Sequence, residues 1–251
     1  MTFQVLPPGS GRSGEWVAAQ TNVMLYQQLH QIGYGSESLA RVRAAYELAT
    51  ELFAGLFRAC GRPFLAHLVG TASILAEIGA AESTVVAGLL HAAYEQGDFG
   101  FTRWRNRRGR VKAVVGTAVE EVIQRYNALK WTKRTIFELL ERLDRLSDLD
   151  NAVLLMRLAN ELEDRMNLAH QLSRERAHDY LSVREIVVAM ADRLEQPRLA
   201  VALRRAFEEA TDSDWLAPLR TDRKASYQLA WRRGTSIRRM LRFVPTRYIP
   251  F

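Results

Sequence analysis

Leu39, Val42, Tyr46, Ala49, Phe53 and Leu56 fall at three- and four-residue intervals and so line one side of a helix. The same spacing returns in Val111, Val115, Val119, Val122 and Tyr126, and most other segments show it. A stripe of this kind is satisfied by packing helix on helix. No run alternates with period two, so strands have no signal and the expected fold class is all-α. Helices are expected at about 15–32, from Ser36 or Ser38 as caps through Leu56, and at 64–78 and 83–96, the last capped by Ser83. A polar, arginine-rich connection spans 97–109, followed by helices through Tyr126 and at 132–146, 149–173, 182–195 and 198–211. Ser182 and Glu185 have the capping-box spacing, and Gly61-Arg62-Pro63, Pro197 and Pro218 mark boundaries.

The 251 residues suit one domain with a core of its own, divided as a flexible N-terminal segment (1–14), a helical domain (15–220) and a basic amphipathic tail (221–251). The net charge of +7 lies wholly in that tail, which carries eight Lys or Arg against Asp222. Trp231, Met240, Leu241, Phe243 and Tyr248 interleave with its arginines. Such a segment suits an anionic membrane surface, nucleic acid, or packing on the body of a partner subunit in a homo-oligomer. The single cysteine, Cys60, excludes an intrachain disulfide and suits a reducing compartment, hence a cytoplasmic protein. No apolar run approaches the ~20 residues of a membrane span, and the N-terminus lacks the form of a signal peptide.

The stretch Gly88–Gln96, GLLHAAYEQ, sets His91 and Glu95 one helical turn apart after an apolar run. A helix so apolar is buried, and a buried imidazole needs a polar partner. Taken alone, the residues leave a core histidine, a metal site and the remnant of one open. His30, His170 and His178 fit no pattern and read as surface or structural residues.

Two blocks narrow the choice. Residues 57–96 contain Arg58, Gly61, Pro63, Phe64, His67, Ile74, Leu75, Leu89, Leu90, His91 and Glu95, and residues 154–168 read LLMRLANELEDRMNL. In order and separation these resemble the hydrolase domain of Rel/SpoT alarmone proteins, a branch of the HD phosphohydrolase superfamily. The resemblance covers roughly residues 40–200 and implies an HD-type helical bundle. It further implies a divalent cation, usually manganese, held by two histidines and two aspartates, with a Glu-Asp pair beside it.

Carried over residue by residue, the resemblance gives His67 and His91 as the two histidine ligands. Both aspartates are replaced, by Ala92 and Asn160, and the Glu-Asp pair is reduced to Glu95 with Gln96. A hard cation deprived of both anionic oxygens is poorly held, so no cofactor is expected and His67 and His91 form a metal remnant. Asp164, one turn beyond Asn160, and Asp98 are the candidate replacement ligands. Arg58 stands where the family packs an arginine against a guanine base, or is an exposed arginine on a helix. Arg105, Arg107 and Arg108 belong to an acid-free run that suits phosphate, or forms a solvated face.

The expected function is binding of a phosphorylated nucleotide or related anion through Arg58, His67, Asn160, Asp164 and these arginines, without manganese-dependent hydrolysis. One alternative is an active phosphohydrolase with manganese or another divalent metal in a rearranged site and Glu95 and His91 as catalytic groups. Another is an interaction scaffold that uses the tail.

Overall fold

A computed structural model describes residues 17–100, 104–166, 172, 183–209 and 214–229. The residues expected to form the N-terminal segment and most of the tail, Trp231 to Tyr248 included, lie outside the described residues. Eleven α-helices, two 3-10 helices and two short strands appear among the described residues. None of these helices is long and apolar enough to cross a membrane.

The chain begins with α1 (Asn22–Gln31), whose first turn is capped by Thr21 Oγ1 accepting from Met24 N–H at 3.3 Å. Helix α2 (Ser36–Phe53) follows. Its cap residue is Gly35 rather than either expected serine, because Ser38 instead donates its hydroxyl to Glu82 at 2.6 Å. The expected stripe ends earlier than its pattern suggested: Leu56 belongs to strand β1 (Leu56–Phe57), whose partner is described below.

Helix α3 (Phe64–Glu77) is the centre of the domain. Its buried positions run around the whole circumference, from His67 through Ala76, as they must in a helix surrounded on all sides. Its polar groups are satisfied internally: Ser73 donates to Gln28 Oε1 at 2.6 Å and accepts from Ala19 N–H at 2.9 Å. Helix α4 (Glu82–Gly88) and α9 (Asp148–Arg165) pack against α3, and α7 (Thr117–Ala128) packs on both α4 and α9.

The helix expected over 83–96 is two helices. Ala81, not Ser83, is the cap of α4, and α4 stops at Gly88 while α5 (Ala93–Gln96) starts again after Ala92. Between them the backbone tightens into i to i+3 bonds, such as Leu90 N–H to Ala87 O at 2.9 Å. The expected connection 97–109 is also partly helical, since α6 (Trp104–Val115) begins inside it. The apolar stripe from Val111 to Tyr126 is divided at Gly116, whose φ of 83° lies where a side chain is unfavourable. Helix α6 ends at Val115 and α7 begins at Thr117.

Helix α8 (Lys133–Glu141) starts from a capping box at Thr132 and Thr135, and a 3-10 turn at Leu143–Arg145 leads to α9. Helix α9 stops at Arg165, short of the expected 173. Helices α10 (Arg184–Arg193) and α11 (Pro197–Glu209) form a tightly packed pair. Ser182 lies outside the described residues, and the cap of α10 is Val183, which makes no side-chain bond. Pro197 opens α11, where its missing N–H costs nothing.

Strand β2 (Tyr227–Gln228) lies antiparallel to β1, pairing Leu56 with Gln228 and Phe57 with Tyr227. The segment expected to begin a separate tail at 221 therefore contributes a strand to the body. Thr221 N–H also bonds Leu172 O at 2.8 Å.

Candidate functional site

His67 stands in the first turn of α3, directly after the turn containing Gly61, Arg62 and Pro63. His91 sits in the tightened turn between α4 and α5, and Asn160, Glu163 and Asp164 project from the last turns of α9. The core brings these three places together, so residues nearly a hundred positions apart share one buried cluster. His67 is 1 % exposed and His91 3 %.

The hydrogen bonds assign the rings. His91 Nδ1 lies 2.8 Å from Gly88 O, a carbonyl that the break in the helix leaves for a side-chain donor. His67 Nδ1 bonds the buried carboxylate of Glu163, with Asp164 Oδ1 at 3.5 Å. With both Nδ1 atoms facing acceptors, each carries its hydrogen there, an assignment made from the bonding pattern. The two Nε2 atoms then face one another at 3.3 Å, and Asn160 Nδ2 is 3.2 Å from that of His67. Burial, followed by the charge influence of His67, pushes the His91 imidazole down to about 3. His91 is thus a neutral ring near neutral pH.

The orientation suits ring nitrogens turned toward a cation, but the remaining donors do not fit manganese. Ala92 offers a methyl group. Asn160 Oδ1 accepts the Tyr126 hydroxyl at 2.9 Å and Arg157 Nη1 at 3.3 Å. At the facing Nε2 atoms a hard divalent ion would find two imidazoles and an occupied amide oxygen, while the Glu163 and Asp164 carboxylates lie beside His67 Nδ1.

The acids nearby are matched to arginines. Arg58 Nη2 pairs with Asp164 Oδ1 at 2.6 Å, Arg62 pairs with Glu163, and Arg157 and Arg165 both pair with Glu161. Glu161 and Glu163 are 2 % and 1 % exposed, so these pairs are needed to keep two carboxylates out of water. Burial works to raise the Asp164 carboxyl. Arg58, His67, Arg157 and Arg165 outweigh it and hold the group well below the usual carboxylate range.

The other expected site residues are dispersed. Glu95 is exposed on α5. Arg58 lies not on a helix but in the turn after β1, partly buried, with its guanidinium 5.6 Å from the Phe64 ring centroid. Arg108 is not offered to a ligand: its Nε and Nη2 clasp Glu120 at 2.6 and 2.8 Å, and Tyr94 donates to the same carboxylate at 2.8 Å. Glu120 is buried and requires this counter-charge. Arg107 lies over the Phe99 ring at 5.4 Å, and the Arg105 side chain lies outside the described residues. Asp98 is exposed and accepts from Gly100 N–H at 2.8 Å within its own turn.

Glu163, Glu161, Arg62, Arg157, Arg165 and Tyr126 belong to the cluster and were not expected there. One signal for them was present: Arg157, Glu161 and Arg165 recur at four-residue steps, a charge ladder on one helix face. That the ladder is buried depends on the partners α3 and α7 and could not be read locally.

Residues 48–130, about a third of the chain, match a family model described as a domain of unknown function, DUF6817. A GTP pyrophosphokinase of Streptomyces antibioticus is 26% identical over 159 residues, covering 63% of this chain and 18% of that protein. The bifunctional (p)ppGpp synthase/hydrolase RelA of Mycobacterium tuberculosis is 37% identical over 67 residues, 27% of this chain and 9% of the relative. The matched region thus spans less than a fifth of these relatives' length. A solved structure described as a metazoan ortholog of SpoT that hydrolyzes ppGpp covers 71% of this chain and 98% of its own, with 16% identity and a TM-score of 0.46. The sequence relatives and the helical architecture support a Rel/SpoT-type HD domain.

Proposed function

We propose that this HD domain binds a phosphorylated nucleotide or a related anion, without the manganese-dependent hydrolysis that the resemblance implies. The observation that carries the reading is the charge matching beside His67. Among the described residues, four guanidinium groups, of Arg58, Arg62, Arg157 and Arg165, pair with three carboxylates, of Glu161, Glu163 and Asp164. A divalent cation placed there meets the like charge of these guanidinium groups, at about 4 kcal/mol for each unit pair 4 Å apart at an effective dielectric near 20. A phosphate meets the opposite sign, and guanidinium groups bind it through paired N–H donors. The nucleotide class is supported by the names of the sequence relatives.

Protein purified without chelator is expected to carry well under one manganese, iron or zinc per chain by elemental analysis. It is expected not to hydrolyse guanosine tetraphosphate with added manganese. That nucleotide should raise the melting temperature by an amount that grows with its concentration. No shift from a panel of nucleotides and sugar phosphates at millimolar levels would remove the binding role.

One observation favours a second reading, an active phosphohydrolase. Ligand atoms of His67, Glu163 and Asp164 all lie within 4.8 Å of one another, a possible rearranged cation site if the arginines turn away. A stoichiometric metal in the unmodified protein, lost on His67→Ala, would establish that reading in place of the first.

A further inference from the structure

Apart from Arg157, which keeps 19 % of its side chain exposed, the described residues of the His67 cluster reach the surface along one rim, where Arg58, Arg62 and Asp164 keep 18 %, 19 % and 26 % exposed. Two of these three are carried by a single tight turn. Arg58 N–H bonds Arg62 O, and Gly61 N–H bonds Arg58 O, each at 2.8 Å. Whatever fixes this turn fixes the rim.

Strand β2 is laid against the residues that lead into this turn. Tyr227 stacks on Phe57, the residue before Arg58, with ring centroids 5.6 Å apart and planes 18° from parallel. Its hydroxyl reaches the far side of the turn, 3.9 Å from where a Cβ on Gly61 would stand. Leu229 N–H bonds Gly55 O at 3.3 Å, and Arg223 covers the Tyr227 ring at 4.2 Å. The attachment is slight. Among the described residues only two pairs form the ladder, while Gln228 and Leu229 stay exposed, and so short a pair of strands is marginal by itself.

We infer that β2 is an intramolecular strap that restrains the Arg58–Arg62 turn and closes the approach to the His67 site. A few weak contacts hold it, so it opens without unfolding the helices behind it. The inference rests on the proposed ligand-binding role only in its nucleotide arm. Release of the strap should expose the turn and the two histidines whether or not a nucleotide binds.

The chain carries its own reporter, since its one cysteine, Cys60, lies in the strapped turn and is partly buried. Two full-length variants loosen the strap by different means. Tyr227→Ala removes the stack, and Leu229→Pro removes the N–H that bonds Gly55 at an exposed position. Both should keep the helical circular dichroism of the parent. In both, alkylation of Cys60 by iodoacetamide should quicken about tenfold, the worth of one aromatic pair or hydrogen bond. Modification of His67 and His91 by diethylpyrocarbonate, read by mass spectrometry, should rise with it.

Unchanged Cys60 and histidine rates in both folded variants would overturn the strap. Faster Cys60 with unchanged histidines would overturn its closing of the site. In the nucleotide arm, guanosine tetraphosphate should bind the variants more tightly than the parent. Equal or weaker binding would overturn the gate. Absence of nucleotide binding to parent and variants alike, with both reagents faster, would remove the proposed function and leave the strap intact.

Discussion

Glu163 controls more of the site than its single charge suggests. It orients His67, pairs with Arg62 and lies 1 % exposed. Glu163→Ala should lower the unfolding free energy by about 3–5 kcal/mol in urea melts, because a partly buried guanidinium and a buried imidazole lose their partner together. Gly70 on α3 exists for the same carboxylate: an added Cβ would stand 2.6 Å from Glu163 Oε1. Gly70→Ala should therefore destabilise by about 1–3 kcal/mol, although alanine favours helices. Equal or greater stability in urea would show that Glu163 moves aside freely. His91 gives the acid response. Its folded value of about 3 lies below its ordinary 6.5, so the unfolded chain takes up the proton first as pH falls. Stability is full above about 6.5 and is lost toward 3, at up to about 1.4 kcal/mol per pH unit. The His91→Gln variant should lose that slope between pH 6 and 4.5. The histidine pair was legible in the sequence because the spacing around it resembles a known motif. Glu163 was not, since its meaning comes from Arg62 and His67, about a hundred residues away.

Elements show the same division between local and distant causes. The stripes at Leu39–Phe53 and Val111–Tyr126 announced helices because burying one face obeys a fixed period. The break at Leu89–Ala92 was hidden because that segment is apolar apart from His91 and carries no proline. It is held open by partners elsewhere: His91 Nδ1–H serves Gly88 O, and Asn127 Nδ2 of α7 donates to His91 O at 2.9 Å. Asn127→Ala should leave that buried carbonyl short of a donor and cost about 1–3 kcal/mol in urea melts. A loss below 0.5 kcal/mol would show that the turn holds without α7. At the other hidden boundary, Gly116 permits the left-handed step between α6 and α7. Gly116→Ala should cost about 1 kcal/mol there, whereas in the middle of a helix the same change would stabilise.

At the scale of the whole molecule, charge and contact divide the C-terminal part differently. Residues 221–229 are docked on the body, while residues 230–251 hold six arginines and no acid. A chain ending at Leu229 has a net charge of +1 and should melt within a few degrees of the full chain. If residues 230–251 bind nucleic acid or anionic vesicles, the full chain should bind them steeply less as salt rises, and the shortened chain should not bind. Equal binding by both chains would place the anionic surface on the body. Charge made the tail legible, but its docked beginning carries no pattern longer than two residues. The distance along the chain between the paired residues has a consequence of its own. Phe57 and Tyr227 are 170 positions apart, so at ribosomal rates the first is made roughly 10–30 s before the second. During that interval the helices are completed in turn, α11 about 1–4 s before Tyr227 is made, with the Arg58–Arg62 turn still uncovered. Each newly made copy therefore passes through an open form, in which a ligand or a chaperone can reach His67 before the protein is finished.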